Sequence, residues 1–251
     1  MSNKEEKHEN LRLDMCYDGT RYRGWQRLPG VEQTIQGKLE TALSRILEEP
    51  IQVSASGRTD AGVHAQHQVV SFSCENPMSC EALLRQLRKY LPEDLGILDC
   101  RVAADRFHAR LNAKSKTYLY RLWNSEEPCV FQRRFVTVFP EPLDDEKMRQ
   151  AAAFLLGEHD FSPFCSNKHM KKSTVRRMDS IEIRRVGNEV QFLFTGNGFL
   201  YNMVRIIVGT LIEVGQGIRT PESVLQLFGQ NRSEAGFLAP PQGLCLVEVQ
   251  Y

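Results

Sequence analysis

The chain has 251 residues, 41% of them hydrophobic and 25% charged, with a formal net charge of +1. That is the composition of a globular protein able to bury a sizeable core, and it excludes a chain that holds a polyanion through its overall charge, so a nucleic-acid site has to be a local patch. The seven cysteines are scattered without a Cys-x-x-Cys pair and follow no secretory leader, which points to reduced cytosolic thiols and to neither a disulfide framework nor a zinc site.

Residues 1–10 are polar and mixed in charge and are expected to form a disordered tail. Leu11, Leu13, Met15 and Tyr17 alternate with polar residues, the period of a strand, and Asp18-Gly19-Thr20 marks a turn. Arg21-Tyr22-Arg23-Gly24-Trp25-Gln26 mixes cations with aromatics in a way that suits nucleic acid, although Trp25 taken alone is better placed as a core plug. Thr34 to Glu49 carries Ile35, Leu39, Ala42, Leu43, Ile46 and Leu47 on one stripe and predicts a helix closed by Pro50. A short strand (Ile51 to Ala55) then delivers the loop Gly57-Arg58-Thr59-Asp60-Ala61-Gly62-Val63-His64-Ala65, and Gln68 to Ser73 returns as a strand. A second helix is expected over Ser79 to Leu91 and another strand over Leu95 to Val102.

The second half repeats this grammar loosely. Lys116 to Trp123 alternates as a strand, Asp144 to Gly157 has a helical stripe, and Ser180 to Arg185 with Glu189 to Thr195 reads as a hairpin about Gly187-Asn188. Gly198 to Val214 predicts a strongly apolar helix, short for a bilayer span and interrupted by Arg205 and Glu213. A short helix follows over Pro221 to Phe228, and Leu244 to Tyr251 alternates as the final strand. The expected architecture is α+β: two related halves, residues 11–105 and 106–251, each a mainly antiparallel sheet covered by helices, sharing one sheet with a cleft between them.

Four residues carry candidate chemistry. In the Gly57–Ala65 loop an extended backbone places Arg58 and Asp60 on one side, and the two glycines allow a tight bend. Asp60 is then a nucleophile, a general base or only a capping residue. Arg205 lies in a helix apolar nearly all round, where a guanidinium needs a partner or must snorkel out along its own stem. Tyr118, between Lys116 and Arg121, suits stacking under a planar base, though a plain sheet aromatic is commoner. Two basic runs, Arg106-Phe107-His108-Ala109-Arg110 towards Lys114 and Lys168-His169-Met170-Lys171-Lys172 towards Arg176 and Arg177, supply the local patch. Arg133-Arg134 suits contact with RNA or with a second subunit. His64, His67 and His159 show no metal spacing, and phosphate loops of the nucleotide-binding kinds are absent.

Several stretches together resemble the tRNA pseudouridine synthase A (TruA) family: Tyr17-Asp18-Gly19-Thr20 with Gly24-Trp25-Gln26, the Gly57–Ala65 loop, Phe107 to Arg110, Lys116-Thr117-Tyr118, Gly157-Glu158-His159-Asp160-Phe161, Gly196 through Thr210, and Ala239 to Leu246. They span nearly the whole chain in family order. Pro163 and Pro241 depart from the usual pattern, and both fall away from the proposed site. The resemblance implies the pseudouridine synthase fold and an enzyme that isomerises uridine to pseudouridine in the tRNA anticodon arm, at nucleotides 38, 39 and 40. It implies Asp60 as nucleophile, Arg58 in flipping the target base, Tyr118 stacking on the uracil and Arg205 pairing with the aspartate. The two basic runs then suggest tRNA contacts at Phe107, His108, Ala109, Arg110 and Leu111 and at Lys168, His169, Lys171 and Lys172. The resemblance further implies a homodimer that needs no cofactor, to which the residue pattern itself adds a cytoplasmic location with no metal and no membrane.

Overall fold

The computed structural model describes residues 8–167 and 170–251. Two compact units result, one of residues 1–114 with 246–251 and the other of residues 115–245.

The first unit is built on β1 (Glu9–Tyr17), followed by α1 (Ile35–Leu47), β2 (Ser54–Ala55), β3 (His64–Cys74), α2 (Cys80–Tyr90) and β4 (Leu95–Val102). Strand β1 is central, antiparallel to β3 on one side and to β4 on the other, with Leu13 opposite both Val70 and Cys100. Its alternation therefore buries Leu11, Leu13 and Met15 completely. The chain's last strand, Leu244–Gln250, lies next to β3 in the sheet order. Both helices start on a side-chain cap: the Thr34 hydroxyl accepts from the Gly37 N–H and the Ser79 hydroxyl from the Ala82 N–H, satisfying donors that the first turn leaves open. Helix α1 buries the apolar stripe expected for it except Ile46, which is half-buried, and also Glu40, whose carboxylate takes Arg27 Nη1, Gln36 Nε2 and the Val53 N–H.

The second unit carries β5 (Ser115–Trp123), β6 (Thr137–Val138), α3 (Asp145–Ala153), β7 (Gly157–Asp160), β8 (Val175–Val186), β9 (Glu189–Gly196), α4 (Met203–Gly215) and α5 (Ser223–Gln226). Its order is β5-β9-β8-β7, antiparallel throughout, with the short β6 parallel to β5. The Gly187-Asn188 turn joins β8 to β9, with Gly187 at φ +59°. Every residue of α4 but Glu213 is buried, as its all-round apolar sequence requires. No helix among the described residues is long and apolar enough to cross a membrane.

The fold is mixed α+β and mainly antiparallel, as the sequence predicts, with several boundaries moved. Strand β1 already begins at Glu9, inside the stretch expected to be a tail, because Asn10 is buried and its amide donates to the Ala104 and Phe107 carbonyls. Residues 1–7 lie outside the described part. The same bonds tie residues 104–112 to the first sheet, so the boundary expected after residue 105 falls after Lys114. The helix expected from Asp144 to Gly157 ends at Ala153, and Gly157, at φ +92°, opens β7 instead. The helix expected from Gly198 starts only at Met203, since Asn202 holds a left-handed φ of +63° that no α-helix continues through.

Candidate active site

Asp60 lies in the loop between β2 and β3, and the exposure of its neighbours alternates: Arg58 is exposed, Thr59 buried and Asp60 half-buried. That alternation matches an extended segment with Arg58 and Asp60 on one side. The bend itself needs only one of the two glycines. Gly62 sits at φ +78°, and the Val63 N–H closes a turn on the Asp60 carbonyl at 3.1 Å. Gly57 has no left-handed backbone; its carbonyl accepts from Gln68 Nε2 at 2.9 Å.

The loop is held by the segment after β1, a relation no periodicity reveals. The Trp25 N–H donates to the Thr59 carbonyl at 2.9 Å, the Gly62 N–H to the Tyr22 carbonyl at 3.3 Å, and the Tyr17 and Thr59 hydroxyls share a buried bond of 2.8 Å. Gly24, at φ +98°, lets its backbone approach the Thr59–Ala61 backbone so closely that an added Cβ would stand 2.9 Å from the Thr59 oxygen. Trp25 is 2% exposed and its ring lies 6.1 Å from that of Tyr17, so the core reading holds for the side chain while its backbone shapes the loop. His64 is buried and takes the Gly19 N–H on Nδ1 at 3.0 Å. That nitrogen carries no proton, so its 3.2 Å approach to Asp18 is not an ion pair. The motif histidine thus serves the loop's shape.

Tyr118 and Arg205 belong to the second unit. Tyr118 is on β5, paired with Phe194 of β9, 7% exposed, with its ring edge-on to Phe199 at 4.9 Å. Arg205 sits in the first turn of α4 and is 9% exposed, so it does not snorkel. Its Nε donates to the Ala239 carbonyl at 2.7 Å and its Nη1 to Asn202 Oδ1 at 3.2 Å, while the Asn202 amide donates to Ser166. Nearby, the Tyr120 hydroxyl bonds Thr137 and the Pro240 carbonyl, and burial pushes its pKa well above the usual phenol range.

The first basic run is an ordered loop. His108 Nδ1 accepts the Arg110 and Leu111 N–H groups, and its own N–H donates to Asn112 Oδ1. Ala109 is buried, with its N–H on Ser71 Oγ and its carbonyl on the Tyr251 hydroxyl. Arg106, Arg110, Leu111 and Lys114 are exposed. Phe107 packs on Tyr251 at 5.1 Å, and the Arg12 guanidinium lies over both rings, 4.6 Å from Tyr251 and 5.8 Å from Phe107. Asp14 holds Arg12 from below through two bonds, at 2.6 and 3.0 Å.

Burial alone would raise the Asp14 pKa, but hydrogen bonds from Arg12 and His67 and the charges of Arg12 and Arg101 outweigh it, leaving it below the usual carboxylate value. A depressed folded pKa stabilises the fold above the unfolded value, and that contribution disappears as pH falls through the folded one. Asp14→Asn is therefore expected to cost about 2 kcal/mol at neutral pH. The deficit should shrink as the pH falls below the ordinary carboxylate value, read from urea unfolding of both chains between pH 7 and about pH 2.

In the second basic run Lys171 and Lys172 are exposed, while Lys168 and His169 lie outside the described residues. Arg177 pairs with Asp179, and Arg176 Nη1 donates to the Ser173 and Val175 carbonyls. Arg133 and Arg134 are exposed, with Arg133 Nη1 on the Val130 carbonyl. The first unit offers a half-buried aspartate on a braced loop and exposed cations on an ordered loop; the second offers a buried tyrosine edge-on to Phe199 and a buried guanidinium held by hydrogen bonds. These suit acid–base or nucleophilic work on a flat, anionic substrate.

A profile of the tRNA pseudouridine synthase family matches residues 15–110 and 151–251. The chain is similar to tRNA pseudouridine synthase A 2 of a strain of Bacillus cereus, 42% identical over 243 residues that cover 96% of this chain and 99% of that protein. It is 43% identical to tRNA pseudouridine synthase A of Bacillus sp. (strain KSM-64), with the same coverage. It is also 43% identical to tRNA pseudouridine synthase A of Geobacillus sp. (strain WCH70), over 97% of this chain and 98% of that one. A solved Cbf5-Nop10-Gar1 complex aligns only loosely, with a TM-score of 0.38 and 12% identity over 94% of this chain and 48% of that one.

Proposed function

This chain belongs to the tRNA pseudouridine synthase A (TruA) family, enzymes that isomerise uridine to pseudouridine, and from that premise we propose that Asp60 is its nucleophile, acting on uridines 38, 39 and 40 of the tRNA anticodon arm. The observation that carries the reading is the Asp60 loop: its backbone is fixed by Tyr17, Tyr22, Gly24 and Trp25 and it holds a half-buried aspartate beside the exposed Arg58. A preorganised charged group of this kind is what a transition state requires.

The reaction breaks the N1–C1′ bond, forms C5–C1′, releases the C5 proton and places a proton from solvent on N1, so that atoms balance. It is redox-neutral and consumes no co-reactant, so it calls for no cofactor. Asp60 works on the ribose, by attack at C1′ or by removal of a sugar proton; either route splits one difficult rearrangement into easier steps. The target base leaves the stack at a cost of a few kcal/mol. Arg58, exposed beside Asp60, helps extrude it, Tyr118 stacks on the uracil, and Arg205 completes the substrate contacts. The loop at Phe107–Leu111 and the run of Lys168, His169, Lys171 and Lys172 hold the tRNA backbone. The working form in this reading is a cytoplasmic homodimer.

Transcribed tRNA tritiated at uridine C5 tests this. Closing the C5–C1′ bond expels tritium to water, and that release is the expected result. Labelled free uracil would mean a nucleoside hydrolase instead. Tight binding without release from any anticodon-arm uridine would mean an RNA-binding protein and would end the proposal.

A further inference from the structure

We propose that Thr210 is a positioning residue for Arg205, acting through the loop of residues 235–239; the proposal rests on Arg205 being a substrate contact. Thr210 is fully buried in α4, a little over one turn beyond Arg205. Its hydroxyl donates to the Ile206 carbonyl at 2.9 Å, a bond that threonine makes within its own helix. That leaves the oxygen free to accept, and it takes the Gly236 N–H at 2.9 Å.

Two glycines allow that contact. A Cβ at Gly236 would stand 2.5 Å from the Thr210 Cα, and one at Gly209 would stand 2.0 Å from the Phe237 carbonyl oxygen. Loop backbone therefore lies directly on helix backbone. Arg232 Nη1 grips the Ala235 and Gly236 carbonyls from the other side, and the Phe237 N–H donates to Glu213 Oε1. The same loop then meets Arg205 twice. The Ala239 N–H donates to the Arg205 carbonyl at 3.2 Å, and the Ala239 carbonyl accepts Arg205 Nε at 2.7 Å. Ala239 is one of the groups that set the direction of the guanidinium, with Asn202 Oδ1, and it stands three residues from the Thr210 anchor.

A threonine that merely satisfied a buried N–H would affect stability alone. Thr210→Val keeps the shape and removes the acceptor, while Thr210→Ser keeps the hydroxyl. At a temperature where all chains are folded, Thr210→Val is expected to lower kcat about tenfold with the KM for tRNA nearly unchanged, and Thr210→Ser to restore most of it. Combined with Arg205→Ala, Thr210→Val should add little further loss, because both act on one group.

A readout independent of activity is exchange of the Arg205 Nε proton by NMR, assigned against Arg205→Lys, which should quicken in Thr210→Val and not in Thr210→Ser. Unchanged Nε exchange, or a Thr210→Ser chain as impaired as Thr210→Val, overturns the proposal. A wild-type chain that isomerises nothing, with Nε exchange responding as expected, would overturn the function and leave the brace standing. Should Thr210→Val not fold, Arg232→Gln cuts the loop's other tether from a less buried position and must give the same kcat loss and faster exchange, or the proposal fails.

Discussion

Asp60→Ala will bind tRNA within about threefold of wild type and release tritium at least about 1,000-fold more slowly, the loss expected when a group central to proton or covalent chemistry is removed. The bonds that brace the loop's backbone run through its neighbours and its main chain. Thr59 supplies the carbonyl that Trp25 grips and the hydroxyl that Tyr17 meets, and the turn to Val63 uses the Asp60 backbone oxygen. Asp60→Asn sharpens the test. It has nearly the same shape and cannot ionise, so it should be as inactive as alanine. Asp60→Asn retaining more than about a tenth of the wild-type rate would show that the carboxylate is neither nucleophile nor base. Single-turnover rates on tRNA at saturating enzyme keep the binding and chemical steps apart.

Much of this fold is legible in the sequence because its strands alternate cleanly. Leu95–Val102 ends where the pattern ends, and Gly187-Asn188 marks its turn without ambiguity. What the pattern hides is local backbone geometry. The apolar run leading into α4 gives no hint that Asn202 is left-handed, so the helix reads five residues too long. Strand β7 hides in the same way behind the stripe of α3, where Leu155 is buried although the helix has ended.

The candidate site divides along the same line. Asp60 and Arg205 stand out because a charge is conspicuous between glycines or inside an apolar helix. Several of the partners that orient them do not stand out, since they are main-chain groups: the Thr59 carbonyl for Trp25, the Ala239 carbonyl for Arg205. A hydrogen bond to backbone imposes no residue type on the acceptor. Its only trace is a glycine where two chains come too close for a Cβ, and a glycine reads equally well as a turn.

Gly19→Ala should therefore do more damage than any turn glycine. A Cβ there would stand 2.0 Å from the Val63 carbonyl oxygen and 2.7 Å from its carbon, both main-chain atoms that cannot swing aside. The strand start at His64 has to move, and with it the bond from the Gly19 N–H to His64 Nδ1. Overpacking against backbone costs about 3 kcal/mol, which for a chain of this length lowers the Tm by roughly 6–12 °C. Activity should fall further than stability explains, because Val63 closes the turn on Asp60, and a displacement of about 1 Å at a catalytic group is worth roughly 100-fold. Gly187→Ala serves as the control, since alanine there meets only the local strain of a left-handed φ while nothing lies within 4 Å of its Cβ. It should lose a little stability and no kcat. A Gly19→Ala chain with wild-type kcat at 25 °C would mean that the loop tolerates movement at its base, and that the brace from Tyr17 to Trp25 does not set the position of Asp60.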